Sequence, residues 1–244
     1  MKNGLESLSS REYAGRVIII GKDKPGKNTV VVYAITGRSP SSQARKIEYE
    51  QDAVWVKPIE EETVRKGEID LLVYPALFFD KGIAVSNGKQ TQDIKTCLAK
   101  SQNPVEVLNL ALKKWDYEPD APTFTPRISG CVLPQDKAAL AIIRRANDGS
   151  SIKDIFKISL SPGEGKMIAT YSGENKDPLP AFKEKPAEVK IDEDRMDDLA
   201  EAVYEALGPK TGRKDFRVSV VCAFSPDLKS NRYEIYVINR NERK

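Results

Sequence analysis

Short runs of apolar and β-branched residues, separated by turn-forming residues, constrain the fold of this chain more than any other feature. The segments "RVIIIG" and "TVVVYAIT" are almost continuously apolar, and "DLLVYPALFF" is apolar on both faces. Strands of this kind are covered on both sides, whereas a strand with one solvated face alternates apolar and polar residues. The sequence therefore predicts sheets that are buried on both faces.

The order of the predicted elements indicates an α+β fold. A hairpin is predicted over 15–23 and 29–38, followed by strands at 46–59, 70–79 and 82–87 and then by two helices, at 92–101 and from Asn103 onward. The second half has strands at 127–133, 137–145, 155–161 and 166–173, a helix at 192–208, and a closing hairpin at 217–224 and 232–240. Such runs favour antiparallel sheets with helices layered outside. We expect a flexible leader over 1–12 and a single domain over 13–244.

Three local features lead to more specific predictions. Pro75 lies inside an otherwise apolar strand, which indicates a bulge or irregularity there. In the helix that follows Asn103, we expect Val105, Leu108, Leu112 and Trp115 to form the stripe that faces the core. The stretch 38–45 is predicted to be a polar loop.

The composition excludes several classes of site. The chain contains no histidine, which removes the usual Ser-His-Asp and Cys-His catalytic arrangements and the common zinc sites. Its three cysteines are far apart in sequence and include no CxxC pair, so we expect buried free thiols rather than disulfides. Acid–base chemistry would then rely on Asp, Glu, Lys, Tyr or Cys, and no metal is expected.

The charge and hydropathy patterns limit the expected partners. The net charge is +3 without a dense basic stripe, so we expect no nucleic-acid partner. No apolar run reaches the length of a membrane span, and the first residues do not resemble a signal peptide. With the unpaired cysteines, these features lead us to expect a cytoplasmic protein, and exposed sheet edges would be compatible with a homo-oligomer.

Two polar loops at strand ends are candidate binding segments. In "TGRSPSSQAR", Arg38 and Arg45 bracket serines that include Ser39, and guanidinium and hydroxyl groups suit a phosphate dianion. The alternative is a solvated loop with two surface arginines. In "VSNGKQTQD", Asn87 supplies an amide beside a glycine, and the alternative there is a tight Asn-Gly turn.

Two further features are candidates for proton chemistry. In "KKWDYEPDAPTFTPRI", Glu118 lies among other carboxylates and near Arg127, and one carboxyl group in such a cluster can have a raised pKa. The alternative is an acidic loop at a helix end. Tyr74 lies in an apolar strand, where it could orient a substrate or be a core tyrosine with a backbone partner.

Taken together, these segments resemble the archaeal-type IMP cyclohydrolase family. The matching pieces are "YAGRVIIIGK", "VVYAITGRS", "AVSNGKQT" and "DYEPDAPTFTPRI", which occur in the family's order and at similar spacing over about residues 13–130. The resemblance implies a four-layer αββα sandwich like that of the N-terminal-nucleophile hydrolases. It does not imply their self-processing, because no Ser, Thr or Cys lies where cleavage would obviously free it.

The resemblance also implies a reaction, namely closure of 5-formamidoimidazole-4-carboxamide ribonucleotide to inosine monophosphate with loss of water. No cofactor is implied. We expect Glu118 to perform acid–base chemistry, Tyr74 to orient or polarise the formyl or carboxamide group, and Asn87 to hold the base edge or the oxyanion. Substrate and phosphate binding is expected from Arg38, Ser39, Arg45, Thr91 and Arg127.

Two departures from the family pattern fall in the expected substrate region. Ala34 follows the strand tyrosine where the family tends to carry an arginine, and the loop 38–45 lacks the family's aromatic residue. Two alternatives therefore stay open, a hydrolase of the same fold that acts on another amide or nucleotide, and a nucleotide-binding protein without catalysis.

Overall fold

The fold of the protein is α+β, with two antiparallel sheets and few helices. The computed structural model describes residues 4–60, 72–209 and 213–243. Within these residues the strands are β1 (Arg16–Lys22), β2 (Thr29–Thr36), β3 (Arg45–Glu50), β4 (Ala53–Pro58), β5 (Tyr74–Phe79), β6 (Ile83–Ser86), β7 (Arg127–Leu133), β8 (Lys137–Arg145), β9 (Ser151–Ile158), β10 (Glu164–Ala169), β11 (Ala187–Lys190), β12 (Arg217–Asp227) and β13 (Arg232–Asn239). The described helices are α1 (Gly4–Ser9), α2 (Pro40–Gln43), α3 (Gln90–Leu98), α4 (Pro104–Ala111) and α5 (Met196–Ala206), and a 3₁₀ turn follows β13 at Arg240–Glu242.

The strands form two sheets that face each other. The first has the order β11-β10-β1-β2-β12-β13 and the second has the order β3-β4-β5-β6-β7-β8-β9. The main hydrophobic core contains residues of both sheets, because strands such as β1 and β7 contact each other across the interface. At Gly130 an added Cβ would lie 2.8 Å from Ile20 Cδ1 of the first sheet, so a larger residue there would displace that side chain.

Helices cover the outer face of each sheet. Helices α3 and α4 contact the strands β5 to β9 and enclose a second apolar cluster with them. Helix α5 contacts β12 and β13, and α1 contacts α5 and β11. The apolar strands at the centre of each sheet are thus buried on both faces, as the sequence predicts.

The predicted strands agree with the structure, although their bounds differ by a few residues. The irregularity predicted at Pro75 is confirmed, since the pairing of β4 with β5 shifts register between Val54 and Trp55, opposite Pro75. Residues 70 and 71 of the predicted strand lie outside the described residues. The cysteines Cys97, Cys131 and Cys222 are buried and free, as expected.

One local prediction is wrong, and two others are refined by the structure. Gly4–Ser9 of the expected flexible leader form helix α1, in which Leu8 is fully buried. The expected loop 38–45 contains helix α2, because Ser39 and Ser42 form a reciprocal capping box around Pro40 at its first position.

The stripe predicted for α4 faces the core, as expected, and includes further residues. Leu108 and Leu112 are buried, Val105 and Trp115 pack partly buried against the same cluster, and Val107 and Ala111 also belong to it. The helix ends at Ala111, so Trp115 lies beyond it and the helical spacing no longer applies.

Among the described residues, no helix combines the length and apolar character that crossing a membrane requires.

Candidate active site

A cleft of about 310 Å³ lies at one edge of the two sheets, where the start of β1, the segment that contains α2, and the loop before β7 come together. Alternate strands of an antiparallel sheet end at the same edge, which brings segments distant in sequence to one place. The residues that line the cleft are Tyr13, Arg16, Arg38, Ser39, Ser41, Ser42, Leu72, Glu118, Asp120, Thr123, Thr125, Tyr171 and Leu179. The cleft therefore combines two guanidinium groups, several hydroxyl groups, two carboxyl groups and aromatic rings.

Glu118 is the buried acid of this cleft. Its side chain is almost fully enclosed, and its backbone N–H donates to the carbonyl of Thr125 at 2.9 Å, which closes the loop before β7. Burial raises the pKa of Glu118 to about 7 although the charges of Arg16 and Arg127 oppose the shift. A carboxyl group with this pKa can both accept and donate a proton at neutral pH.

Asn87 fixes the position of Glu118. Its Nδ2 donates to Glu118 Oε1 at 3.2 Å and to the carbonyl of Pro126 at 3.0 Å. Its Oδ1 accepts from the backbone N–H of Ile128 at 2.8 Å and from Gln90 Nε2 at 3.1 Å. Protein groups therefore occupy all four hydrogen-bonding positions of this side chain in the structure. Its predicted contact with the base edge or the oxyanion stays a prediction.

Arg127 is also held by the protein. Its Nε donates to the carbonyl of Asp116 at 2.9 Å, and its Nη1 donates to Gln90 Oε1 at 3.3 Å and lies 3.8 Å from Glu118 Oε1. Gly88 allows this approach, because an added Cβ would lie 2.8 Å from Arg127 Nη1. Arg127 does not line the cleft, and it lies behind Glu118 rather than in front of it.

Arg38 and Ser39 lie on the wall of the cleft. Arg38 donates to Asp177 Oδ1 at 2.8 Å and to Asn175 Oδ1 at 3.2 Å, and its guanidinium lies over the ring of Tyr13. Ser39 Oγ accepts from the N–H of Ser42 at 3.1 Å as the cap of α2. Both residues can reach a ligand, but the terminal nitrogens of Arg38 already have acceptors.

Tyr74 contacts another tyrosine across the sheet interface. Its hydroxyl lies 2.7 Å from the hydroxyl of Tyr33 on β2, and both rings are buried. Burial, followed by the effect of Tyr74, raises the pKa of Tyr33 well above its usual value, so this phenol stays neutral. Within the described residues no hydrogen bond joins the Tyr74 hydroxyl to the backbone, and Tyr74 is not among the residues that line the cleft.

Arg16 and Arg45 are buried beside this tyrosine pair. Arg16 lines the cleft, and within the described part of the chain its Nε has no hydrogen-bond partner. Arg45 donates from Nε to the carbonyl of Ser42 at 2.9 Å, but its Nη1 and Nη2 are buried without a partner. Burial and then the charge of Arg16 lower the pKa of Arg45, which places the two guanidinium groups within electrostatic reach of each other.

Two residues of the expected substrate region lie away from the cleft. Thr91 is fully buried and its Oγ1 donates to the carbonyl of Gly88 at 2.8 Å, so it stabilises the turn before α3. Ala34 follows Tyr33 on β2 and therefore points to the opposite face of the first sheet. The departure from the family pattern at Ala34 consequently does not border the cleft.

Arg16, Tyr13 and Tyr171 line the cleft but were not predicted from the sequence. Arg16 begins a strand whose central residues are apolar, and its place in the cleft depends on which loops meet that end of β1. The rings of Tyr13 and Tyr171 stack at 5.6 Å, and the Tyr171 hydroxyl lies 2.7 Å from Thr125 Oγ1. A basic residue at the first position of an apolar strand, in the quoted "YAGRVIIIGK", was the available signal.

Comparison with known proteins identifies the family to which this chain belongs. The family model described as IMP cyclohydrolase-like protein matches residues 13–227. The chain belongs to the IMP cyclohydrolase-like family. In this IMP cyclohydrolase-like chain, the matched range includes every residue that lines the cleft.

Curated relatives of this IMP cyclohydrolase-like chain are archaeal. It is 27% identical over 214 residues to a Methanocaldococcus jannaschii protein named IMP cyclohydrolase, and the match covers 86% of the chain and 92% of the relative. It is 30% identical over 190 residues to a Methanopyrus kandleri protein of the same name, with 77% and 85% covered. A third protein of that name, from Methanosphaera stadtmanae, is 26% identical over 160 residues, with 65% and 73% covered.

Proposed function

We propose that this protein is an IMP cyclohydrolase, which closes 5-formamidoimidazole-4-carboxamide ribonucleotide to inosine monophosphate and water in purine biosynthesis. The observation that carries the proposal is a buried carboxyl group, Glu118, with a pKa of about 7 in a cleft of a chain that belongs to this family. The cleft has the guanidinium, hydroxyl and aromatic groups that a purine nucleotide requires for binding.

The reaction needs a nucleophile, an electrophile and a path for protons. The carboxamide nitrogen attacks the formyl carbon, a C–N bond forms, and the electron pair of the C=O bond moves to oxygen. Glu118 takes a proton from the attacking nitrogen and passes it to the oxygen, which gives a hydroxyl group on the former formyl carbon. The C–O bond then breaks and a C=N bond forms to the formamido nitrogen, whose proton completes the departing water. Holding the two groups of one molecule together provides much of the acceleration, and a carboxyl group with a pKa near the operating pH provides the proton transfer.

The other site residues support these steps. Asn87 and Arg127 orient Glu118 and place positive charge behind it, so we assign Asn87 a positioning role. Tyr74, through its contact with Tyr33, supports the floor of the cleft. Arg38 and Ser39 border the part of the cleft that is open to a ligand, and the ring of Tyr13 is available for stacking on a base or ribose.

The layered arrangement of helices and sheets supports a further part of the proposal. We propose that the fold is the four-layer αββα sandwich of the N-terminal-nucleophile hydrolases without their self-processing. Intact-mass measurement of the purified chain is then expected to show no cleavage that exposes a nucleophilic residue at a new N-terminus.

The test of the proposed function is direct. Ring closure changes the ultraviolet spectrum, so purified protein incubated with the formamido ribonucleotide is expected to form inosine monophosphate. Glu118→Gln keeps the size of the side chain and an acceptor for Asn87, but it cannot transfer a proton. Its turnover is expected to fall about 100-fold or more, measured by steady-state kinetics with folding confirmed by circular dichroism.

A matched variant controls for the loss of a carboxylate. Glu188→Gln removes an exposed carboxylate on β11 that pairs with Lys166, and its turnover is expected to equal that of the wild type. Near-wild-type turnover of folded Glu118→Gln would exclude the proposed role of Glu118. Absence of turnover by the wild type would exclude the proposed function itself.

A further inference from the structure

Trp115 contacts the arginine behind the candidate acid, although it does not line the cleft. Its ring packs partly buried against the outer apolar cluster that α3 and α4 form with the second sheet. The ring also meets the guanidinium of the buried Arg127, whose Cζ lies 4.9 Å from the ring centroid. A cation within about 6 Å of the face of a tryptophan ring is attracted to it. The position of Trp115 thus combines apolar packing with a contact to a buried charge.

The indole N–H of Trp115 fixes the orientation of the ring. Its Nε1 donates to Asp93 Oδ2 at 2.7 Å, and Asp93 lies in the first turn of α3. Lys114 Nζ lies 3.2 Å from the same carboxylate oxygen and balances its charge. The backbone N–H of Trp115 donates to the carbonyl of Leu112 at 3.1 Å. The ring is therefore held at its edge and at its backbone, and α3 sets its position over Arg127.

The same end of α3 also holds Arg127 directly. Gln90 Oε1 accepts from Arg127 Nη1 at 3.3 Å. Gln90 and Asp93 are three positions apart, so they are neighbours on the surface of the helix. One residue of this turn thus bonds the guanidinium, and the other bonds the ring that covers it. Both contacts keep Arg127 Nη1 at 3.8 Å from Glu118 Oε1.

The place of Arg127 affects the proton affinity of Glu118. Burial is the main cause that raises the pKa of this carboxyl group to about 7. The charged groups that act on it come from several elements and are Arg16 of β1, Arg127 of β7, Asp120 of its own loop and Arg45 of β3. The arginines lower the pKa and Asp120 raises it. A displaced Arg127 would therefore raise the pKa of Glu118 further and leave less carboxylate to accept a proton at neutral pH.

We propose that Trp115, oriented by Asp93, is a positioning residue that holds the Arg127 guanidinium beside Glu118. The role of Glu118 in proton transfer, which this contact serves, rests on the proposed function. Trp115 acts through Arg127 and not through contact with a ligand. The segment "VSNGKQTQD", a candidate binding segment in the sequence, then contributes to the site through Gln90 and Asp93, which hold the arginine and the ring.

The pKa of Glu118 in variants of the full chain tests this role without any need for turnover. NMR of the side-chain carboxyl carbons follows the titration, and the Glu118 signal is the one that Glu118→Gln lacks. Trp115→Leu removes the ring face and the indole donor, and the pKa of Glu118 is expected to rise by about half a unit or more. Trp115→Phe keeps a ring face without the donor, so a smaller rise is expected. Asp93→Asn keeps an oxygen acceptor for the indole N–H and is expected to keep the wild-type pKa.

Two comparisons show whether Trp115 acts through Arg127. In an Arg127→Met background, adding Trp115→Leu is expected to cause no further rise in the pKa of Glu118. Trp55→Leu is the matched control, because Trp55 is the second tryptophan of the chain and packs partly buried against the same apolar cluster. Its ring meets Phe78 at 6.3 Å between centroids, so this variant is expected to leave the pKa of Glu118 unchanged.

The pH dependence of turnover gives a second readout. Because the carboxylate of Glu118 accepts a proton in the proposed reaction, kcat/KM is expected to rise with pH through the pKa of this group. In Trp115→Leu the rise is expected at higher pH, with kcat/KM about threefold or more below the wild type at pH 6 and close to it at about pH 9. A loss that is merely structural would lower kcat/KM by the same factor at every pH.

The outcomes separate this proposal from its alternatives. An unchanged or lowered pKa of Glu118 in folded Trp115→Leu, an equal rise in Trp55→Leu, or a rise that persists in the Arg127→Met background would each overturn it. A raised pKa in Trp115→Leu of a protein without ring-closing activity would support the positioning role and reject only the proposed function. If Trp115→Leu does not fold, Trp115→Phe and Asp93→Leu, which removes the acceptor of the indole N–H, decide the question by the same titration.

Discussion

At the scale of single residues, the contacts of Asn87 show how one buried amide connects the candidate acid to the elements around it. Its amide links Glu118 to two backbone groups at the start of β7, the Pro126 carbonyl and the Ile128 N–H, which lie on either side of Arg127. Its fourth contact comes from Gln90 at the start of α3. The acid is therefore held by a buried network whose members are all paired, which is the condition under which such networks make a site rigid.

This arrangement predicts that Asn87→Ala lowers both the stability and the turnover of the protein. The variant leaves buried groups such as the Ile128 N–H unpaired, so we expect a loss of about 2–4 kcal/mol in the free energy of unfolding. We also expect reduced turnover in the fraction that remains folded, because Glu118 loses its orienting partner. Urea unfolding and steady-state kinetics on the same preparation measure the two effects.

Asn239 offers a matched control, because it is also a buried asparagine whose side chain bonds to backbone groups. In its case both groups belong to one residue. Its Nδ2 donates to the carbonyl of Ile47 at 3.0 Å and its Oδ1 accepts from the N–H of Ile47 at 2.8 Å. Asn239→Ala is expected to destabilise the protein to a similar degree while the folded fraction keeps its turnover. Equal losses of turnover in the two variants would argue against a specific role for Asn87.

The raised pKa of Glu118 predicts a pH-dependent difference in stability. Because its pKa in the folded protein is about 7 and its ordinary value is 4.5, the folded state binds more protons between these pH values. Wild-type stability therefore falls as pH rises through this range, and Glu118→Gln lacks this loss. The stability of the variant relative to the wild type is expected to rise by up to about 3 kcal/mol between pH 4.5 and 7.

Urea unfolding of both proteins at pH 5 and pH 8 measures this difference. Glu188→Gln is the control, since that exposed carboxylate has a pKa that Lys166 lowers, and no comparable rise is expected. A stability difference that is the same at both pH values would contradict the raised pKa of Glu118.

At the scale of elements, the strands were predictable and the site was not. An apolar run such as the one in β2 predicts a buried strand, whatever the position of that strand in the sheet. By contrast, the cleft depends on the strand order, which brings the start of β1, the segment with α2 and the loop before β7 to one edge. The cluster of carboxylates indicated a candidate acid in this loop, and the family resemblance singled out Glu118, whereas Arg16 stands at the start of an apolar run and was not predicted.

The contacts of Asn87 and Thr91 also depend on the tertiary arrangement, and they differ from the predicted ones for this reason. Asn87 and Thr91 belong to a turn whose residue types suit either a binding site or a tight turn. The hydrogen bonds of Thr91 are made within the turn, and those of Asn87 are made to the neighbouring loop and helix. Residue type alone does not specify these partners, because they lie on segments up to 41 positions away.

Helix α1 provides a test at this scale. Leu8 is fully buried in the main core, so Leu8→Ala is expected to lower the free energy of unfolding by about 2–4 kcal/mol. Leu110 of α4 is 48% exposed, and Leu110→Ala, the matched change in a helix, is expected to have an effect below about 0.5 kcal/mol. Chemical denaturation compares the two variants. A flexible leader, as first expected, would make the effect of Leu8→Ala as small as that of Leu110→Ala.

At the scale of the whole molecule, the cleft depends on both sheets. Arg16 and Tyr33 belong to the first sheet, whereas Arg45 and Tyr74 belong to the second, and one core cluster contains residues of both. We propose that residues 13–244 fold as a single cooperative unit. If they do, no partly unfolded form keeps the site.

Coincident unfolding transitions are the expected result. Enzymatic activity, tryptophan fluorescence and far-ultraviolet circular dichroism are expected to change at one urea concentration. The fluorescence reports on the second sheet, because Trp55 lies on β4 and Trp115 packs against the cluster that this sheet shares with α3 and α4. A fluorescence transition separated from that of the circular dichroism would divide the chain into two units.

The glycine at position 130 lies between side chains of both sheets. A Cβ added there would lie 2.8 Å from Ile20 Cδ1 of the first sheet and 3.1 Å from Val85 Cγ1 of the second, so these side chains would have to shift. Because the walls of the cleft are attached to strands of both sheets, we expect such a shift to change the width of the cleft. The shape of the cleft would then depend on a position that does not line it.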